Sequence, residues 1–280
     1  MTGDRYLAPM LILLSPAKDL AKETPVIKDA TQPQLLKEAA VLVKALRNLS
    51  TKQLAELLEL NPKLGELNRK RYTEWSLPFT TTNARPTAFV FNGEAYRGLD
   101  VRGLSSADLR FAQHHLRILS GLYGVLRPLD LIQDYRLMMG TSLRVGKAKN
   151  LYAYWGDRIT EVIEKDLEQA GSRTLVNLAS TEYFKAVNAE RLGARVITPV
   201  FKDRGPKGHR MVMVYAKQQR GSMARHIIRN RILDAEKLKA YSDDGYRYSA
   251  VDSTADEWVY LREAAPQGPP SKLAGGRIRQ

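Results

Sequence analysis

The apolar residues of this chain fall in short runs, and the most compact of them, Met10–Leu14 (MLILL), stops abruptly at Ser15-Pro16. Five apolar residues in a row, closed by a turn dipeptide, read as a buried strand entering a turn. No run approaches the roughly 18 apolar residues of a membrane span. The opening MTGDRYLAPMLILLSP has too short an apolar stretch for a signal peptide, and no small-residue cleavage site follows it. The core must therefore be assembled from several short elements. At 280 residues the chain is long enough to do this, since folding at such a size hides roughly three-quarters of the unfolded surface. Length allows one large domain or two modest ones.

Helical spacing dominates the first half. Across residues 34–49, Leu35, Leu36, Ala39, Val43 and Leu46 recur on one helix face. Ser50 and Gln53 have the form of a capping box that opens a second helix through residue 60. Residues 61–75 continue helical, with a basic face of Arg69, Lys70 and Arg71. Residues 87–91 (TAFVF) read as a strand ending at the turn dipeptide Asn92-Gly93. Ser105 starts a helix expected to run through residue 119, and residues 151–170 form a long amphipathic helix stopped by Gly171. Strands then gather, at residues 173–179, 195–201 and 210–216, followed by a basic helix at 223–233 and a last strand at 257–261. No repeat and no break in composition interrupts residues 10–263. The expectation is one mixed α/β domain, α+β-like in its order, over residues 10–263. A loose extension at 1–9 and a disordered basic tail at 264–280 flank it. This irregular order makes a regular βαβ repeat and a barrel weak fits.

Composition narrows the chemistry. Hydrophobic content of 44% and charged content of 26% set aside wholesale disorder, collagen and coiled coil. There is no cysteine, which excludes disulfides, thiolate catalysis, zinc fingers and cysteine-held iron–sulfur clusters. Of the four histidines, His114 and His115 are adjacent and point to different faces of any helix. His209 and His226 lack a ligand partner at three- or four-residue spacing, so no metal site is expected. No Walker motif, GxGxxG or GxSxG elbow occurs, so neither a nucleotide cofactor nor the usual hydrolase chemistry is expected. Forty-four Lys and Arg against 30 Asp and Glu give a net charge of +14, which favours a nucleic-acid partner wherever it clusters.

Three constellations could carry chemistry. In residues 116–130 (LRILSGLYGVLRPLD), a helix ending near Leu119 meets Ser120-Gly121-Leu122-Tyr123-Gly124, with a second helical segment expected from Val125 toward Ile132. Two glycines three residues apart let backbone N–H groups converge, a following helix adds its positive end, and Arg117 and Arg127 flank the turn. That arrangement resembles a helix–hairpin–helix gripping DNA phosphates; the plain alternative is an αα corner packed internally. Residues 217–231 (KQQRGSMARHIIRNR) hold five cations and no acid, with Arg225 and Arg229 on one helix face opposite Met223, Ile227 and Ile228. Such a face suits a phosphate backbone, or is simply solvated. In residues 176–185 (VNLASTEYFK), an apolar strand delivers Asn177, Ser180, Glu182, Tyr183 and Lys185 at its end, and Lys18 follows the first strand in the same way. A desolvated lysine can act as nucleophile or base, whereas capping and surface ion pairs are the bland reading.

With LILLSPAK (Leu11 onward), FAQHHLRILSGLYGVLRPLDLIQDYRLMMG, LYAYWGD, NLASTEYFKAV, PVFKD and AKQQRGSMARHII in this order, the chain resembles the bacterial YaaA family of peroxide stress proteins over residues 10–263. Met10 falls where that family usually starts, and Met138 stands where an acid is expected in the form YRLEMG. The resemblance implies a cytoplasmic protein that helps bacteria survive hydrogen peroxide, with less free iron and less Fenton damage to DNA. It also implies a single α/β domain of unusual fold, in which a helix–hairpin–helix beside a positive cleft binds duplex DNA. That hairpin is expected on residues 120–128.

The resulting expectation is a monomeric, cytoplasmic protein without membrane association that holds double-stranded DNA largely independently of sequence. Its grip is expected to come from Arg117, Ser120, Gly121, Tyr123, Gly124 and Arg127, together with Lys217, Arg220, Arg225 and Arg229. The alternative is an enzyme acting on a nucleobase or nucleotide-like substrate through Lys18, Asn177, Glu182 and Lys185, an analogy with glycosylase sites. In either case Lys18, Glu182 and Lys185 are expected to line one cleft near Gly121 and Gly124. Direct iron sequestration is a third reading, which four histidines and no cysteine make unattractive although carboxylate-only sites stay open.

Overall fold

A strand apolar at every position is stable only where both faces are covered. In a computed structural model, which describes residues 10–263, Met10–Leu14 (β1) accordingly lies inside the main sheet with all five residues buried. The extension at 1–9 and the basic tail at 264–280 lie outside the described residues. The first three helices follow the periodicity. Helix α1 (Leu36–Arg47) buries Ala39, Leu42, Val43 and Leu46, and α2 (Thr51–Leu57) opens on the Ser50/Gln53 capping box. Helix α3 (Pro62–Glu74) starts with proline after Asn61, whose Oδ1 accepts the Leu64 amide at 2.9 Å. After them come β2 (Arg85–Pro86), α4 (Thr87–Val90), α5 (Glu94–Leu99) and α6 (Ser106–His115), the last capped by Ser105 and Asp108.

Four expectations need correcting from here on. Residues 87–91 are not a strand: their four-residue run is the single helical turn α4, too short to show a period, and its Thr87 and Ala88 amides donate to the carbonyls of Asp130 and Pro128. Helix α6 stops at His115 because Leu116–Ser120 (β3) is buried throughout and pairs with β1. The chain then turns into β4 (Gly124–Leu126) and β5 (Leu131–Ile132), so residues 116–126 form a β-hairpin and not two helices. The helix of residues 151–170 is two helices, α7 (Leu151–Trp155) and α8 (Arg158–Gln169), broken at Gly156 with φ +49°. Beyond β6 (Thr174–Leu178), α9 (Thr181–Phe184), β7 (Arg195–Gly205) and β8 (Gly208–Arg210), the chain is helical from Met213, where a strand was expected. That helix is α10 (Met213–Arg229), followed by β9 (Arg247–Ser249) and β10 (Glu257–Arg262).

The main sheet runs β4-β3-β1-β6-β7-β10-β9, with β8 pairing β7 off that path, and β2 pairs β5 in a separate ribbon. The five central strands β3, β1, β6, β7 and β10 are mutually parallel, while β4, β8 and β9 are antiparallel. The mixed α/β reading of a single domain holds. Parallel strands joined through helices are also present, hidden because each crossover differs in length and is broken into several short helices. One hydrophobic cluster runs from β1 through the helices to Trp258 and Tyr260.

Two glycines decide how the helical layer closes. A Cβ on Gly98 of α5 would collide with the Gln218 carbonyl, and one on Gly221 of α10 with the Ala95 carbonyl, so the two helices touch backbone to backbone. Replacing Gly221 with alanine is expected to destabilise the fold by about 3 kcal/mol or more, because backbone cannot yield as a flexible side chain can. A urea midpoint equal to wild type would contradict this contact.

Charge inside the fold is arranged around β3 and β4. Arg117 is buried, and its Nε donates to Asp166 at 2.5 Å; Arg127 reaches the other Asp166 oxygen at 3.0 Å. Burial pushes the Asp166 carboxyl up, but the Arg117 hydrogen bond and the two guanidinium charges outweigh it and leave its pKa below the ordinary value. Asp130 is different. Burial pushes it up to about 6, although the Arg127 amide (2.7 Å) and Thr31 hydroxyl (2.6 Å) both donate to it. The folded state thus holds this proton more tightly than the unfolded chain, and ionised Asp130 opposes folding. As pH rises from 4 through 6, wild type is expected to lose up to about 3 kcal/mol relative to Asp130→Asn. Urea unfolding of both proteins at pH 4, 5.5 and 7 measures it; a constant difference would mean Asp130 titrates normally.

Candidate functional site

The chain leaves β1 to form β3 on one side of it and later forms β6 on the other. Connections from the carboxyl ends of β1 and β6 therefore diverge, and a crevice opens between them, the usual ligand position in an open parallel sheet. Ser15–Lys18 follow β1, and Ser180–Lys185 follow β6. The two ends are stapled together: the Ser180 amide donates to Ser15 Oγ at 2.8 Å, and the two hydroxyls lie 3.3 Å apart. From α5, the Tyr96 hydroxyl donates to the Ser15 carbonyl at 3.0 Å.

Residues 135–140 (YRLMMG) close over this edge. Tyr135 bonds Ser120 through their hydroxyls at 2.6 Å, and the Gly140 amide donates to Glu182 Oε1 at 3.0 Å. Gly121 lies flat against the Leu137 carbonyl, with no room for a side chain. Beneath this strap Lys18 shares a narrow cleft with Tyr135, Arg136, Met138 and Tyr183. Glu182 thus fixes the strap. Lys185 lies elsewhere, its Nζ 5.1 Å over the Tyr152 ring, while the Tyr152 hydroxyl donates to the Glu182 carbonyl at 2.9 Å. Asn177 faces β7: its Oδ1 accepts the Ala179 amide at 3.1 Å and its Nδ2 lies 3.4 Å from Thr198 Oγ1. Buried and bonded within the sheet, Asn177 does not join the cleft.

Half of the residues expected to grip DNA are inside. Arg117, Ser120, Gly121, Tyr123 and Gly124 are buried in the β-hairpin, and Gly124, at φ +70°, packs on Leu35 and Trp155. Their glycines serve the turn, and no helix N-terminus follows them. Arg127 is partly exposed but engaged with Asp166. On α10, Arg225 pairs with Asp100 at 3.5 Å and Arg229 donates to the Gly103 carbonyl at 2.8 Å. Lys217 is exposed. Burial lowers the pKa of half-buried Arg220, which has no acid partner among the described residues.

A different pair of helices is joined by a tight turn. Helices α2 and α3 are joined by Leu58–Asn61 alone, with Glu59 at φ +52° and the Leu60 amide donating to the Ala55 carbonyl at 2.8 Å. A Cβ on Gly65 would sit 2.8 Å from that of Ala55, so the helices are in close contact, and Asn61, Pro62 and Lys63 are exposed at the start of α3. The two caps, Ser50 and Asn61-Pro62, were the available sequence signal. Residues 135–156, of which Arg136 lines a cleft with Leu58 and Glu59 of this turn, contain Arg136, Arg144, Lys147 and Lys149 and no acid of their own. Glu56, Leu57, Leu58 and Glu59 form a second cleft with Arg136, Met138, Gly140, Thr141 and Ser142; Arg136 and Met138 also line the Lys18 cleft. The Tyr72 hydroxyl of α3 donates to the Arg136 carbonyl at 2.7 Å, and Trp75 Nε1, just beyond α3, donates to the Tyr123 hydroxyl at 3.0 Å. Among the described residues, no group of three or more His, Asp or Glu could hold a metal ion, and no helix is long and apolar enough to cross a membrane.

Comparison with known proteins identifies this framework. The family model for peroxide stress protein YaaA matches residues 10–251. A UPF0246 protein of Neisseria meningitidis serogroup B is 47% identical over 254 residues, covering 90% of this chain and 98% of the relative. UPF0246 proteins of Aliivibrio fischeri strain MJ11 and Cellvibrio japonicus are each 49% identical over 255 residues, covering 91% of this chain and 98% and 99% of the relatives. The stapled strand ends, the strap and both helices of the tight pair all lie inside the matched span, and the chain belongs to the peroxide stress protein YaaA family.

Proposed function

We propose that this protein binds duplex DNA through its phosphates, with α2–α3 acting as a helix–hairpin–helix and residues 136–149 supplying the positive charge. The observation that carries the reading is the turn Leu58–Asn61, which leaves the start of α3 exposed and has Arg136 in the cleft at Leu58 and Glu59. Backbone N–H groups at such a start bind phosphate without a side-chain charge. The pair itself exposes Glu56, Glu59 and Glu66 as well as Lys52 and Lys63, so long-range attraction must come from Arg136, Arg144, Lys147 and Lys149. Contacts of this kind do not read bases.

This reading supplies a physical route to protection. DNA carries a layer of condensed cations, and a protein that neutralises phosphates releases them. Ferrous iron held in that layer would generate hydroxyl radicals against the duplex, and displacing it moves Fenton chemistry away from the bases. Less damage then follows without a metal site on the protein.

Affinity for duplex DNA is expected to fall steeply with salt, with a log–log slope near −4 to −5 for about five phosphate contacts. The double variant Lys147→Glu/Lys149→Glu should weaken binding at least tenfold at physiological salt and flatten the slope by about 2, whereas Arg225→Ala and Arg229→Ala should change it little. Fluorescence anisotropy with unrelated duplexes at several salt concentrations measures both effects. A flat salt response, or equal loss from the α10 variants, would remove the basis of the proposal.

A further inference from the structure

We infer that Tyr246 is a redox-active tyrosine, which gives up an electron to a one-electron oxidant and its proton to Asp203. Its hydrogen bond is the first argument. The Tyr246 hydroxyl donates to Asp203 Oδ1 at 3.0 Å, and both residues are buried. The other bonded tyrosine hydroxyls among the described residues meet backbone carbonyls, an amide oxygen, an indole N–H or another hydroxyl, none of which takes up a proton readily. A phenol sheds its proton as it is oxidised, because its cation radical is a strong acid, and a carboxylate within hydrogen-bond reach is placed to receive it. Asp203 has room for a further proton. Its Oδ1 also accepts Arg262 Nε at 2.7 Å, while its Oδ2 is buried with no partner among the described residues. The Arg262 guanidinium lies 4.4 Å from the centroid of the Tyr246 ring. A cation over the ring disfavours a positively charged ring, so oxidation yields the neutral radical, with the proton transferred.

A path for the electron is the second argument. Tyr248 on β9 is partly exposed, and its ring centroid lies 5.8 Å from that of Tyr260 on β10. Tyr260 stacks on Phe201 of β7 at 5.3 Å, and Phe201 meets the Tyr246 ring edge-on at 5.4 Å. Rings this close pass an electron by tunnelling, and Phe201, too hard to oxidise, serves only as a bridge. Trp258 adjoins Tyr248 at 6.2 Å but is a poor end point. Lys239 and Arg195 lie over its ring at 4.8 and 5.7 Å, and its Nε1 donates to the Ala255 carbonyl, which takes no proton. The oxidising equivalent therefore settles on Tyr246, where a proton acceptor waits. With the hydroxyl radical as oxidant, the electron reduces it to hydroxide, the O–H bond of Tyr246 breaks and an O–H bond forms on Asp203. A neutral tyrosyl radical is left beside a neutral carboxylic acid, and burial shields it from other molecules.

Oxidation of the full chain by photogenerated tris(bipyridine)ruthenium(III), followed by freezing and electron paramagnetic resonance, tests this. Wild type should show a long-lived tyrosyl signal that falls at least fivefold in Tyr246→Phe. It should stay nearly unchanged in Tyr154→Phe, a tyrosine of α7 bonded to the Glu38 carbonyl at 2.8 Å. Because the proton moves to an internal base, the wild-type yield should be equal at pH 6 and pH 8. In Asp203→Asn the proton must go to water or buffer, and the yield at pH 6 should fall at least fivefold. Thermal melting confirms that each variant is folded. Asp203→Asn also deprives Arg262 of its carboxylate; should it not fold, Tyr246→Phe and the wild-type pH profile decide alone. The inference is overturned by an unchanged signal in folded Tyr246→Phe or folded Asp203→Asn, by equal loss in Tyr154→Phe, or by a wild-type yield that climbs at least fivefold from pH 6 to pH 8. No DNA enters these measurements, so this inference and the DNA-binding proposal succeed or fail separately.

Discussion

The parallel pairing of β1 with both β3 and β6 organises the rest of the molecule. Five consecutive apolar residues leave β1 no exposed face, and its two neighbours come from about 105 and 165 residues further along the chain. Because the register aligns Leu14 with Leu178, Ser15 and Ser180 must emerge side by side, and the short hydrogen bond between them follows from the strand pairing. The crevice exists for the same reason. Everything said about Lys18, Glu182 and the strap depends on the burial of MLILL.

Elements with a local signal were legible in the sequence: α1 by its apolar stripe, α2 and α6 by capping boxes, and β1, β6, β7 and β10 by β-rich runs. Elements whose conformation is set by distant partners were not. LRILS can be the end of a helix or a strand on composition alone, and β1, a hundred residues earlier, selects the strand. The glycine pair Gly121 and Gly124 does make a turn, yet between strands, so the backbone groups meant for phosphate lie against Leu137 and Trp155. The residues around the crevice were named from the sequence because strand ends are readable. That Glu182 anchors the strap, and that Asn177 faces into the sheet, depended on partners no spacing reveals.

Counting cations along the chain does not show which of them are paired. Arg117 and Arg225 belong to ion pairs with Asp166 and Asp100, and Arg229 donates to a backbone carbonyl, so the densest basic runs are partly tied up within the fold. Surface positivity is set by where acids are missing in space. Residues 135–156 are modest in Lys and Arg, but they contain no acid at all. Such a stretch is visible in a sequence once absence of the opposite sign is sought alongside density of one sign.

The bonds from Tyr72 to Arg136 and from Trp75 to Tyr123 have a mechanical consequence. Tyr123 packs edge-on against Tyr135 with ring centroids 5.2 Å apart, and Tyr135 is bonded to Ser120 on β3. An unbroken series of rings and hydroxyls thus welds the end of α3 to the central sheet and to the strap above Lys18. Helix pair and cleft have no hinge between them, so whatever touches both is held at one fixed spacing, as between the jaws of a caliper set to a single gauge.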